Sequence, residues 1–334
     1  MAIGTAAGYG NLPSGNFLPE IYSQKVLKFF RRASVVEDIT NTDYAGEIEN
    51  FGDTVRIIKE PVLTVSSYTR GAVVNPQDLA DDQITMVVDQ ANAFAFKIDD
   101  IEERQSHINF EALATSSGAF ALKRKYDFNV LQAMSDGAGI AGSLSTGSTA
   151  PSALTTTDAT NLGTANAPIN VAGNNGDNAI NLMLAMARAL DDQSIPEENR
   201  WFVANPAFYE NLFGAGAKFA EVQVTGDATS PLRNGLVMQG NIAGFACYKT
   251  TALNSTGGTD QIVLTDATAT LATDGSENVV LAGHMSSTST ASHIAKTEVV
   301  RSTESFSDIV RGLHVFGRKV LRPEAIVRAV IDFA

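Results

Sequence analysis

The sequence predicts an α+β protein, and three stretches carry that prediction. Residues 101–136 hold the strongest helical pattern: Leu122, Tyr126, Val130 and Met134 recur every fourth residue, with Phe110, Leu113, Phe120, Phe128 and Leu131 as a second apolar stripe. Ala93-Phe94-Ala95-Phe96-Lys97-Ile98 alternates strictly, the period of a half-buried strand. Near the C-terminus, RGLHVFGRKVLRPEAIVRAVI reads as two strands hinged at Arg322-Pro323-Glu324.

The chain has 334 residues, room for two or three modules. A chain of this size buries roughly three quarters of its unfolded surface. Only 18% of residues are charged, and 27 are glycine, which suits a surface largely covered by neighbours. The formal net charge is −13, and no basic patch dominates, so a free nucleic-acid reader is disfavoured. A negative balance is nonetheless compatible with a wall that encloses DNA without sticking to it. A single cysteine, Cys247, excludes an intrachain disulfide and reads as a small core residue. No signal peptide and no 18-residue apolar run is visible, so no membrane partner is expected.

In chain order, residues 1–16 read as a Gly-rich arm. Residues 17–32 read as a helix with an apolar stripe of Tyr22, Val26, Phe29 and Phe30. Lys25, Lys28, Arg31 and Arg32 make it the most basic patch of an acidic chain, which reads either as a solvated helix face or as an arm suited to a neighbour's acidic surface or to an enclosed nucleic acid. Residues 51–100 read as one long two-stranded excursion, from Gly52 to Ser67 and from Gln83 to Asp99. Pro61 demotes the first strand to an edge or a bend, and Asn75 to Asp82 forms a polar turn. Such a hairpin has little core of its own and must lie on something, which in an assembly is the next subunit. Its charges are Arg56, Lys59 and Arg70, with Asp78, Asp81 and Asp82 at the tip; together with the four basic residues of the first helix they are the candidate inter-subunit contacts.

The long helix stops at Asp136-Gly137-Ala138-Gly139. Residues 137–176 are rich in Gly, Ser, Thr, Ala and Asn and read as a surface insertion or long loop with short strands. A second helix spans about 177–193, with Leu182, Met186 and Leu190 in register. Trp201 to Asn205 reads as a strand, Pro206 opens a further helix, and Gly235 to Thr251 reads as a strand pair. Residues 261–264 and 278–281 are two short strands. In the C-terminal pair, Ile309, Leu313 and Val315 on one strand, with Ile326, Val330 and Phe333 on the other, are expected to bury Leu122, Val130 and Leu131 of the long helix.

Chemistry is sparse. Gly137-x-Gly139-x-x-Gly142 fits a dinucleotide pattern, but a helix precedes it where a strand is required. His107, His284, His293 and His314 show no metal-ligand spacing, and His314 is expected to face solvent. Asp99, Asp100, Glu102 and Glu103 are adjacent in sequence, which is not a dyad; they suit the start of the long helix. No P-loop, EF-hand, G-x-S-x-G or H-E-x-x-H occurs. No catalytic, cofactor or metal residue is assigned.

Phe316-Gly317-Arg318-Lys319-Val320 followed by Arg322-Pro323-Glu324-Ala325 resembles the C-terminal end of tailed-phage major capsid proteins. The order of elements is similar to the HK97-like capsid fold of that family over nearly the whole chain. The resemblance implies an N-terminal arm and basic helix over 1–49 and an extended hairpin, the E-loop, over 50–100. It implies a P-domain of spine helix and C-terminal strands over 101–136 plus 284–334, and a mixed α/β A-domain over 177–283, with 137–176 as an insertion. It implies self-assembly into hexamers and pentamers of an icosahedral shell around double-stranded DNA, bound without sequence specificity. Portal and scaffolding proteins, and a decoration protein, are the implied partners. Assembly in the host cytoplasm into the virion capsid is the implied localisation. No residue matches the lysine–asparagine crosslink that some members carry. A compartment shell of the encapsulin type, with the same fold but with cargo instead of a genome, is one alternative. A carboxylate-dependent hydrolase is the alternative of another class.

Overall fold

The computed structural model describes residues 34–44, 54–58, 83–100, 110–141, 162–164, 168–172, 177–212, 242–253, 262, 278–303 and 305–333, with scattered positions between 63 and 73. The N-terminal helix expected over 17–32, and with it Lys25, Lys28, Arg31 and Arg32, lies outside the described residues.

The best-formed helix of the sequence is α2, Phe110–Asp136, preceded in the chain by a single turn, α1, Val36–Ile39. Its 27 residues make a rod of about 40 Å at 1.5 Å per residue. Two further helices follow, α3 at Asp177–Asp192 and α4 at Pro206–Leu212. The entry to α4 is set locally. Pro206 occupies the first turn, and Asn205 Oδ1 accepts a hydrogen bond from the Phe208 N–H at 2.9 Å.

Eleven strands lie among the described residues: β1 Thr54–Ile58, β2 Gln83–Val87, β3 Gln90–Asp99, β4 Ile140–Ala141, β5 Ile169–Asn170, β6 Arg200–Ala204, β7 Ala246–Lys249, β8 Asn278–His284, β9 Thr288–Arg301, β10 Ser307–Val320 and β11 Ile326–Asp332. β1 and β2 form a two-stranded hairpin ladder, β3-β10-β9 a three-stranded antiparallel sheet, and β4-β11-β8-β6-β7 the larger sheet, with β5 also paired to β11.

The larger sheet is buried on both faces. β6, β8 and β11 are buried at nearly every position, as their largely apolar sequences demand, Arg328 being the charged exception inside β11. One face packs on α3 and α4 through Leu182, Met186, Leu190, Phe208 and Tyr209 against Phe202, Val280 and Ala329. The other packs on α1 and the C-terminal half of α2, where Val36, Ile39, Val130, Leu131 and Met134 meet Trp201, Leu281 and Val330. Burial of such side chains stabilises by about 1.5–3 kcal/mol each.

The structure corrects several sequence expectations. The two C-terminal strands do not pair with each other. β10 belongs to the three-stranded sheet and β11 to the larger one, where Val330 sits opposite Val279. Pro323–Ala325 forms a 3-10 turn between them, and β11, apolar on both sides, needs cover on both sides. The facing of β10 is also the reverse of that expected. Leu313 is exposed and Ile309 half-buried, whereas His314 and Phe316 turn onto Tyr126 of α2. Val130 and Leu131 are buried as expected, but Leu122 only partly. The stretch 83–99 is two strands. β2 pairs with β1, and β3 leaves the hairpin to pair with β10. The break falls at Val88–Asp89, where the chain passes Gly317; a Cβ there would lie 2.9 Å from the Val87 carbonyl oxygen.

The described parts of 137–176 belong to the core. Ile140, Leu162, Ile169 and Val171 are all buried against the α3 face. Gly137 and Gly139 serve close packing, since a Cβ on Gly139 would stand 2.6 Å from the Pro323 carbonyl and one on Gly137 2.7 Å from Val320. The Gly139 N–H donates to Pro323 O at 2.8 Å. Asp99 ends β3 rather than opening the helix, and Glu102 and Glu103 lie outside the described residues.

Candidate assembly interface

The hairpin is joined to the body along one face only. β1 and β2 alternate in burial, with Val55, Ile57, Ile84 and Met86 turned inward. Met86 and Val88 are fully buried against Ala291 and Val315, with Val55 and Ile57 packed beside them. Further out the apolar side chains have no such cover. Leu63, Val65, Tyr68 and Val73 are 65%, 93%, 66% and 85% exposed. Large exposed apolar groups gathered in the stretch between β1 and β2 mark an interaction surface.

Of the charges predicted for this surface, Arg56 lies on the outward face of β1 opposite Thr85, and Arg70 is exposed in the turn that ends at Gly71, φ +88°. Lys59, Asp78, Asp81 and Asp82 lie outside the described residues.

The three-stranded sheet presents a second surface. Its inner face lies on α2, where the Phe94 ring is held between Gly118 and Gly312. Its outer face carries Ala91, Ala93, Ala95, Lys97, Arg311 and Leu313, all exposed. At its far end Arg301 binds Asp100 at 2.5 Å and Asp308 at 3.0 Å, while Arg311 pairs with Glu298. Phe306, 80% exposed, stands in the turn beside them. A groove of about 430 Å³ opens between α2 and this sheet, lined by Phe94, Leu122, Tyr126, Leu313 and His314, with Glu37 and Lys123 also lining it.

Charged groups inside the fold are structural. Asp127 of α2 accepts hydrogen bonds from Ser34 Oγ and from the Val35 N–H, which fixes the chain leaving the N-terminal segment onto the helix. Burial raises its pKa above the ordinary carboxylate value, against those two donors and Lys123. Arg200, 4% exposed, donates to the carbonyls of Ile195 and Pro196 and pairs with Asp191 at 2.8 Å. Sequence reasoning passed over both residues; an Asp placed beside the apolar Tyr126 and an Arg opening an apolar strand were the available signals.

His314 is half-buried between Tyr126 and Phe316, ring centroids 5.3 Å from each, and burial lowers its pKa. The expected solvent-facing histidine is thus part of the packing, because its strand turns the even-numbered side chains onto the helix. Cys247 lies against the core and burial pushes its thiol up to about 11. Among the described residues no group of three or more His, Cys, Asp or Glu could hold a metal ion. No helix among them is long and apolar enough to cross a membrane.

This architecture, with a projecting hairpin, a long helix laid under a three-stranded sheet and a doubly covered mixed sheet, is an α+β, HK97-like capsid fold. It is the fold of tailed-phage major capsid proteins. A solved structure from Mycobacterium phage Che8 is 27% identical, with a TM-score of 0.71, over 94% of this chain and 97% of that one. The capsid structure of the cyanophage P-SCSP1u is 18% identical, with a TM-score of 0.66, over 96% of this chain and 94% of that one. The capsid asymmetric unit of cyanophage Pam1 is 13% identical, with a TM-score of 0.64, over 98% and 100% of the two chains. Comparison of the sequence with protein families, and with curated proteins, yields no match.

Proposed function

We propose that this chain is the major capsid protein of a tailed bacteriophage, building the icosahedral shell that encloses the double-stranded DNA genome. The observation that carries the reading is end-to-end likeness to a phage structure at 27% identity. The uncovered apolar side chains of the hairpin supply the physical motive, because they need a neighbour. The hairpin acts as a clamp that lies on the next copy, a head-to-tail contact that closes into rings of six and five subunits. Its charges, Arg56, Lys59, Arg70, Asp78, Asp81 and Asp82, set register more than affinity.

The basic segment carrying Lys25, Lys28, Arg31 and Arg32 meets acidic surface of neighbouring subunits, an attraction screened beyond about 10 Å at 0.1 M salt. The acidic chain encloses DNA without reading its sequence. Portal and scaffolding proteins, and a decoration protein, complete the particle, which assembles in the host cytoplasm. The chain carries out no catalysis. Neither the compartment-shell nor the hydrolase alternative has an observation in its favour.

Deleting residues 68–82 and imaging the purified protein tests the clamp. The expected product is soluble subunit that forms no closed shells. Normal closed shells from the deletion would exclude the clamp.

A further inference from the structure

The hairpin joins the body where β2 ends and β3 begins, at Val88–Asp89, and the next residue but one along β10 from their last pair is Arg318. Three features of this joint stand out together. Gly317 lets the β2–β3 crossing pass within contact distance, since a Cβ there would lie 2.9 Å from Val87 O and 3.0 Å from the Val88 side chain. The Arg318 Nη1 is buried without a hydrogen-bond partner. Asn92 Nδ2, three residues past Asp89 on β3, is buried without one as well.

A guanidinium has five donors in a rigid fork and keeps its charge when half-buried, so an idle buried N–H is a cost that a fold normally removes. Arg318 is not within ion-pair distance of any described carboxylate. Two carboxylates nonetheless act on it. Asp89 and Asp136 both favour its charged form, against the desolvation that lowers its pKa. They differ in what they are attached to. Asp136 ends α2, which is fixed in the core, and Asp136 is already bonded by Gln132 at 2.9 Å. Asp89 sits in the two-residue link between the hairpin and the three-stranded sheet.

We propose that Arg318 is the latch of the hairpin joint: its idle N–H is kept for the Asp89 carboxylate, and a small rotation of the hairpin about Val88–Asp89 closes this pair and fixes the hairpin at its assembled angle. The proposal rests on the reading of the hairpin as an assembly arm. In the isolated subunit the pair is open, as seen here. In the shell it is closed, and the charge-assisted bond it makes holds the arm. Left open, the joint carries the cost of that idle N–H, and closing the pair removes it.

The test is the subunit concentration at which shells form, measured by sedimentation on full-length protein for Asp89→Asn, Arg318→Gln, the double neutral variant and the exchange Asp89→Arg with Arg318→Asp. Each single change is expected to raise that concentration about tenfold, the double neutral variant no more than either single, and the exchange to recover most of the loss. Asp136→Asn is expected to change it less than threefold, on the order of an exposed pair. Additive losses, a silent Asp89→Asn, or a loss that follows Asp136 instead would overturn the latch. If Arg318→Gln does not fold, Asp89→Asn and Arg318→Lys decide the matter, the latch requiring loss in the first and partial retention in the second. A wild-type chain that forms no shells at all would sink the capsid reading, whereas shells indifferent to Asp89 would sink only the latch.

Discussion

Replacing Gly312 with alanine probes how the long helix is seated on the three-stranded sheet. The Phe94 ring projects from β3 between that sheet and α2. A Cβ on Gly312 would lie 2.3 Å from Phe94 Cε1 and 2.7 Å from Cζ. On its other edge a Cβ on Gly118 would lie 2.7 Å from Cδ2 and Cε2. Straight retreat from Gly312 closes the ring on α2. Overpacking of this kind costs about 1–3 kcal/mol, and the shorter contact places Gly312→Ala near 2 kcal/mol. Gly118→Ala carries an opposing gain of about 1 kcal/mol from helix propensity, so its net effect is close to zero instead of the stabilisation an open helix site would give. Removing the ring removes the clash. Urea unfolding of soluble subunits should therefore give Phe94→Ala with Gly312→Ala about 2 kcal/mol more stable than the sum of the two single losses. A Gly312→Ala protein as stable as the parent, or losses that simply add, would refute the seating described here.

Three other outcomes follow from the buried groups. His314 has its pKa lowered by burial, so the unfolded chain takes up its proton first on acidification. Its contribution is present above the ordinary value near 6.5 and is lost as pH falls toward the folded value, by at most about 1.4 kcal/mol per pH unit. The urea midpoint should fall from pH 7.5 to 5.5, and His314→Phe should flatten that fall; an unchanged slope would place the histidine outside the packing. Asp127 has its pKa raised by burial, so its ionised form costs stability as pH rises past the ordinary carboxylate range. Asp127→Asn keeps one oxygen to accept from the Val35 N–H and can donate its amide N–H to Ser34 Oγ, so it should lie within about 1 kcal/mol of the parent at pH 7, while Asp127→Ala, which strands the Val35 N–H, should cost about 1–3 kcal/mol by the same unfolding assay. The Cys247 thiol, pushed up to about 11, should alkylate far more slowly in native protein at pH 8 than after unfolding in urea, and equal rates would contradict its burial.

How much of this was legible beforehand depends on the physical signal each element carries. α2 and α3 declared themselves through apolar spacing, and β6 and β11 through short, predominantly apolar, β-branched or aromatic runs. The pairing of β3 with β10 did not, because alternation in Ala93 to Ile98 states that one face is buried but not against which strand. The same limit applies to β10, where Gly312 and His314 hold the buried face and Leu313 the exposed one; polarity pointed the opposite way, and only the bulk of Phe94 explains the glycine. The role of Gly137 and Gly139 rests on contacts with Val320 and Pro323, far away in sequence. Of the assembly surface, the exposed hairpin was legible as an element without a local core. The break at Val88–Asp89 was not, since it depends on Gly317 in another strand.

Electron-microscopic reconstruction of particles formed by the purified full-length chain tests the central claim most directly. The account predicts closed polyhedral shells in which Leu63, Val65, Tyr68 and Val73, bare in the single subunit, are covered by another copy. A small discrete oligomer with those four side chains still in solvent would contradict it.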